Sequence, residues 1–152
     1  MAGKRELALQ TDIIRSVRQQ GGWARKMSNR FLVGMPDLVM ALHPFAICIA
    51  EVKDLGPVTE KFDRKLDVSP KQRHELRMIH VAYWDKMNIY TPKRRASLLL
   101  VGATLGRRHM LTALPWDAKR VTYEATWVDR QVGGVYDIKA LLEMADVVGV
   151  KQ

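Results

Sequence analysis

Apolar and polar residues repeat along this chain with two different periods, and the changes of period mark its elements. Glu6, Gln10, Ile13 and Val17 recur at helical spacing on one face, which predicts a helix from Glu6 to Gln20 stopped by Gly21-Gly22. Trp23 to Ser28 reads as a strand and Asn29 to Gly34 as a basic loop. Asp37–Leu42 and Ala46–Lys53 are apolar on both faces until Glu51, as strands are in a sheet covered on both sides. His43-Pro44 turns the chain between them. Asp54 to Val68 is polar, of mixed charge, and reads as a loop that is long for a compact domain. Ser69 then caps a second helix that runs through about Ile79. Pro70 suits its first position and Gln72 completes a capping box.

Val81–Trp84 and Asn88–Tyr90 have the look of short strands, with Lys93-Arg94-Arg95 a basic loop after them. Leu98–Val101, Met110–Leu114 and Val121–Val128 read as further strands, the last alternating through Val121, Tyr123, Ala125 and Trp127. A final helix is expected from Asp137 to about Val148, with Ile138, Leu141, Leu142 and Ala145 inward. There is no internal repeat and no low-complexity segment. The expectation is an α/β fold, a mixed sheet between helices, in one domain of 152 residues.

Composition adds a partner to this picture. A hydrophobic fraction of 47% is enough for a core, and a net charge of +9 points to a polyanion, with nucleic acid first among them. The basic residues are spread along the chain, so a folded basic surface is expected rather than a basic arm. Cys48 is the only cysteine, set in an apolar run. It reads as a small buried hydrophobe in a reducing compartment, with no disulfide framework and no Cys/His zinc spacing. The first residues turn directly into a polar helix with no signal-peptide pattern, and the longest apolar stretch, Ala96–Leu105, is too short to span a bilayer. These features predict a soluble, cytoplasmic protein without a membrane partner.

The candidate chemistry lies in Gly34-Met35-Pro36-Asp37 and, one apolar strand later, Glu51-Val52-Lys53. Two carboxylates brought together at a sheet edge repel unless a cation lies between them. Lys53 lies two residues past Glu51 and shares its side of the strand. A divalent ion held by oxygen ligands beside an ammonium is suited to attack on a phosphodiester. Glu6 adds a carboxylate on the stripe that should face the sheet, where burial is costly unless it is paired; it could also complement the helix dipole. Gln10 faces the same way. Gln72 has two candidate roles, the capping box and a place beside Lys53, and these are expected to require different side-chain geometries.

In the order helix glutamate, Gly-x-Pro-Asp, apolar strand, Glu-x-Lys and Ser-Pro-x-Gln helix, the chain resembles the PD-(D/E)XK nuclease superfamily, and most closely its VRR-NUC branch. The resemblance runs from about Glu6 to Trp84 and includes Gly21-Gly22 after the first helix. It implies a restriction-endonuclease-like sheet core over residues 1–92. Residues 93–152 would be a C-terminal β/α extension packed on the same domain, without a counterpart in the family. The Asp54–Val68 stretch is longer than the family's usual link. The resemblance further implies one or two Mg²⁺ or Mn²⁺ ions held by Glu6, Asp37, Glu51 and the Val52 carbonyl. Lys53 would orient or deprotonate the attacking water, with Gln72 beside it. Asp37, Glu51, Lys53 and Gln72 are thus the expected catalytic set.

The substrate implied is DNA, branched or in four-way junctions, cut to a 5′-phosphate and a 3′-hydroxyl. Symmetric cutting would call for a homodimer. Arg25, Lys26, Arg30, Lys71 and Arg73 flank the motifs and are the candidate phosphate contacts. Trp84, Tyr90, Trp116 and Trp127 could stack on bases, though core packing is the expectation for most of them. No P-loop is present, so no nucleotide cofactor is expected. Two alternatives stand beside this one: a nuclease of restriction-like specificity, and a non-catalytic or partner-activated nucleic-acid-binding module. The small size and compact motif suit a phage or bacterial source.

Overall fold

A computed structural model of the protein describes residues 3–27, 34–43, 45, 47–81 and 97–145. Helix α1 (Lys4–Gln19) forms around the predicted stripe and buries Leu9, Gln10, Ile13, Ser16 and Val17. It stops where Gly21 takes a left-handed φ of 88°, with the Gly22 N–H donating back to the Val17 carbonyl. At Gly22 a Cβ would lie 2.6 Å from the Ala41 carbonyl oxygen, so only glycine lets the helix end rest against the sheet.

The chain then runs through an antiparallel meander, β1 (Trp23–Lys26), β2 (Leu38–Ala41) and β3 (Cys48–Val58), in the register Ala24↔Met40 and Leu38↔Ala50. After β4 (Asp63–Lys65) and α2 (Pro70–His80) it returns as β5 (Ser97–Leu105), parallel to β3 with Glu51 opposite Leu99. Strands β6 (Arg108–Pro115), β7 (Arg120–Thr122) and β8 (Val128–Asp129) and helix α3 (Ile138–Met144) complete the described chain. The main sheet is six-stranded and mixed, in the order β1-β2-β3-β5-β6-β8, while β4 and β7 pair as a separate ribbon.

Both faces of the sheet are covered, as the two-sided apolar strands predict. On one face, Leu9, Ile13 and Val17 of α1 and Ile138, Leu141 and Leu142 of α3 pack against Ala50, Val52, Leu98 and Leu100. On the other, Leu76 of α2 packs with Leu99, Val101 and Met110, joined by Val58, Phe62, Leu66 and Val121. Strand β5, from the segment after Pro92, lies between β3 and β6 in the middle of the sheet.

Three expectations are corrected. The stretch Asp54–Val68 is not a loop. Strand β3 continues to Val58 through an irregularity between Asp54 and Pro57, where Gly56 takes φ 70°, and its end pairs with Thr104 and Leu105. Asp63–Lys65 forms β4, and Val58, Phe62 and Leu66 are buried anchors. The bulge breaks the two-residue alternation, and charged residues surround the anchors, so the strand signal is lost. The expected strand Val121–Val128 is two short strands around a turn. The Ala125 N–H donates to the Thr122 carbonyl, and so does the Trp127 indole N–H, at 3.1 and 3.2 Å. This turn sets Tyr123 and Trp127 edge-on to Phe62. Val81 is not a strand residue but the C-cap of α2, in helical φ/ψ.

The expectations for Ser28, Asn29–Val33, His80's distal neighbours from residue 82 to 96 and the end of the last helix beyond Ala145 lie outside the described residues. Among the described residues, no helix is long and apolar enough to cross a membrane.

Candidate active site

Asp37 is positioned by a glycine and a proline. Gly34 has φ 88°, and a Cβ there would sit 3.0 Å from the Lys71 backbone, so this turn lies directly on the first turn of α2. Pro36 is buried, and the Asp37 carbonyl accepts the Met27 N–H at 2.8 Å, one step past the β1–β2 ladder. The β2–β3 ladder stops at Leu38↔Ala50. Beyond it, Asp37 Oδ2 accepts the Val52 N–H at 2.8 Å, taking the place of a backbone acceptor. The carboxyl is thereby held against β3.

Glu51 is 2% exposed, on the face of β3 that looks towards α2. Its carboxyl is pushed up to about 9. Burial is the main cause, followed by the hydrogen bond with Asp37 and the charge of Asp37; Lys53 opposes the shift and Glu6 adds to it. Its Oε2 is buried and has no hydrogen-bond partner among the described residues. Lys53 follows on the same face, with Nζ 3.5 Å from Gln72 Oε1. That same Oε1 accepts the Ser69 N–H at 3.0 Å, while Ser69 Oγ accepts the Gln72 N–H at 3.1 Å. The expectation that capping and approach to Lys53 need different geometries is therefore corrected: an amide oxygen has two lone pairs, and Gln72 uses them for both.

Glu6 is half-buried at the start of α1. Its Oε1 accepts the Gly3 N–H and its Oε2 the Asp54 N–H, each at 3.3 Å. Gln10 is buried one turn further on. The carboxylate thus ties the helix to β3 one residue past Lys53. Two neighbours that sequence reasoning missed complete this corner. Asp54 Oδ1 accepts the Gly56 N–H at 2.7 Å, and the Arg5 guanidinium lies directly over Gly56. Their only sequence signal is adjacency to Lys53 and Glu6.

The donor set can be weighed against a divalent ion. Among the described residues, no three His, Cys, Asp or Glu side chains are grouped to hold a metal. Asp37 and Glu51 do fit as a pair of hard oxygen donors, because one buried Glu51 oxygen is unpartnered and the two carboxyls face each other. Glu6 is not grouped with them in this arrangement; its two oxygens accept backbone N–H groups instead.

The candidate phosphate contacts divide. Arg25 and Lys26 are exposed on the edge strand β1, with the Arg25 guanidinium 5.9 Å from the Trp23 ring centroid. Lys71 is exposed beside Gly34. Arg73 instead donates to the Trp116 carbonyl at 3.0 Å, tying α2 to the residue after β6. Trp116 and Trp127 pack against the second core cluster. Arg30, Trp84 and Tyr90 lie outside the described residues. No family model matches the chain, and no curated protein matches it in sequence.

Proposed function

We propose that this protein is a divalent-metal-dependent DNA endonuclease with a restriction-endonuclease-like core. The observation that carries the reading is the buried Glu51 carboxyl, bonded to Asp37 and with one oxygen left unpartnered among the described residues, and Lys53 two residues along the same strand face. A carboxyl pair with one member buried is destabilising in itself, and a cation bound between the two would offset that cost. Asp37 and Glu51 would hold Mg²⁺ or Mn²⁺, joined by the Val52 carbonyl and by Glu6 if it exchanges its backbone donors. The ion, when bound, supplies Lewis acidity and charge neutralisation. Lys53 Nζ orients the attacking water and offers positive charge to the phosphorane-like transition state. Gln72 Oε1 holds that ammonium in place, anchored by the Ser69 N–H. Arg25, Lys26 and Lys71 meet the phosphate backbone, and the products carry a 5′-phosphate and a 3′-hydroxyl. Branched DNA is the proposed substrate, with paired cuts made by a homodimer in the cytoplasm.

A binding module that is non-catalytic or awaits a partner is favoured by one observation, the engagement of both Glu6 oxygens by backbone donors. Cleavage of linear, nicked, flapped, forked and four-way-junction DNA in Mg²⁺, Mn²⁺ or EDTA separates the readings. Metal-dependent cutting by wild type, abolished in Glu51→Gln and Lys53→Ala, is expected. Junction binding with no cutting in either metal selects the binding module, and cutting of linear DNA at fixed sequences selects restriction-like specificity. Light scattering of the junction complex tests the dimer.

A further inference from the structure

We propose that a basic groove at the far end of the sheet is a second nucleic-acid contact, gripping the phosphate backbone of the duplex away from the cleaved step. The inference rests on the nucleic-acid half of the reading above and not on cleavage. The groove has a volume of about 460 Å³, and Arg107, Arg108 and His109 line it from the β5–β6 hairpin. Gly106, at φ 61°, makes this hairpin tight, with Leu105 opposite Arg108 and Arg107 exposed at the tip. The other wall is the segment Asp129–Gly134 that follows β8.

The walls are held in place by backbone bonds and by two ion pairs. The Arg130 N–H donates to the His109 carbonyl at 2.8 Å, and the loop closes on itself through Gln131 N–H to Val135 O and Gly134 N–H to Gln131 O. Arg108 pairs with Asp129, and Arg130 lies 3.6 Å from Asp12, which Arg15 also contacts. Arg107 has no ion-pair partner among the described residues. Three lining arginines thus meet two carboxylates, Asp129 in the lining and Asp12 outside it, and the unpaired Arg107 keeps the groove positive. Gly133, at φ 88°, has nothing within 4 Å of where a Cβ would lie, so its backbone is open to a ligand's approach.

Arginine forks and an open glycine backbone suit phosphate oxygens. The lining is polar and holds one isolated apolar residue, Val132, too little to insert into a membrane. Along β5, the step from Leu99, opposite Glu51, to Leu105 is about 20 Å at roughly 3.3 Å per residue. That is the length of about six base pairs at 3.4 Å each.

The test is fluorescence anisotropy in EDTA with a duplex of roughly 24 base pairs, about 80 Å long. Wild type is compared with Arg107→Glu and with Arg107→Ala/Arg108→Ala over a salt series. Each residue removed is expected to lower the log–log salt slope by about one, and affinity is expected to fall about three- to tenfold. Arg107 is exposed and Arg108 half-buried, and thermal unfolding checks that both variants stay folded. Wild-type affinity and slope in both variants overturn the proposal. Loss of binding to phosphatidylserine vesicles with DNA binding intact also overturns it, and assigns the groove to a membrane surface. A reduced slope in a protein that never cuts DNA sinks the cleavage reading and leaves this one standing.

Discussion

At the scale of single residues, Glu51 has the largest consequence. In the unfolded chain its carboxyl titrates near 4.5, and in the fold near 9. Between those values the folded state holds a proton that the unfolded state has lost, so metal-free stability declines as pH rises from about 5 to about 9. Thermal unfolding in EDTA should show a melting temperature that falls by several degrees across that window, at about 2–4 °C per kcal/mol for a chain of this size. Glu51→Gln removes the titration. It should flatten the slope and be more stable than wild type at pH 8; a wild-type slope in Glu51→Gln would assign the pH effect to other groups. Asp37 asks for a conservative change too. Alanine would strand the Val52 N–H and cost about 1–3 kcal/mol. Asp37→Asn keeps an acceptor oxygen and should abolish cleavage while urea unfolding shifts by less than about 1 kcal/mol. Cys48 is buried, and burial pushes its thiol up to about 12. It should resist iodoacetamide at pH 8 until the protein unfolds, so fast labelling of the native state would contradict its burial.

At the scale of elements, close approach decides which positions tolerate change. A Cβ at Gly102 would stand 2.6 Å from Leu9 Cδ2, because the Leu9 side chain of α1 reaches over β5 there. Gly102→Val should cost about 1–3 kcal/mol by overpacking, read as a lower urea midpoint with an unchanged slope. Ser69 is more than a cap, because its N–H anchors the same Gln72 oxygen that Lys53 approaches. Ser69→Ala should cost about 1 kcal/mol of stability through the lost cap. The element boundaries show what could be read in advance. The N-cap of α2 and the stripe of α1 are local patterns, and both are found where they were expected. The end of β3 and the β4–β7 ribbon were illegible, because their pairing partners lie some forty to sixty residues away, at Thr104–Leu105 and Arg120–Thr122. Nothing local distinguishes such a bulged, charged strand from a loop.

At the scale of the whole molecule, a net charge of +9 acts as a field that raises the local concentration of polyanions. The site itself should bind a cation. If Asp37 and Glu51 hold Mg²⁺, saturating metal stabilises the fold by mass action, by about 2.7 kcal/mol at a hundredfold excess over Kd. The melting temperature of wild type should therefore rise with Mg²⁺ at pH 8 in a calorimeter, and that of Glu51→Gln should not. An equal rise in both would place the metal elsewhere. What the sequence determined by itself was local and periodic: the helices, the two-sided strands, the glycine stops, the basic balance, and the pairing of Glu51 with Lys53 two residues apart on one strand face. What tertiary structure decided was everything that depends on distance in space. It brought Asp37 against Val52 and Glu51, turned Glu6 to the Asp54 N–H, gave Gln72 two donors at once and drew Arg73 away to Trp116. It also set the arginines of one hairpin opposite a loop more than twenty residues later. Periodicity records which face a residue takes. Only packing of the two faces around β3 and β5 sets which polar groups then meet and how little water reaches them.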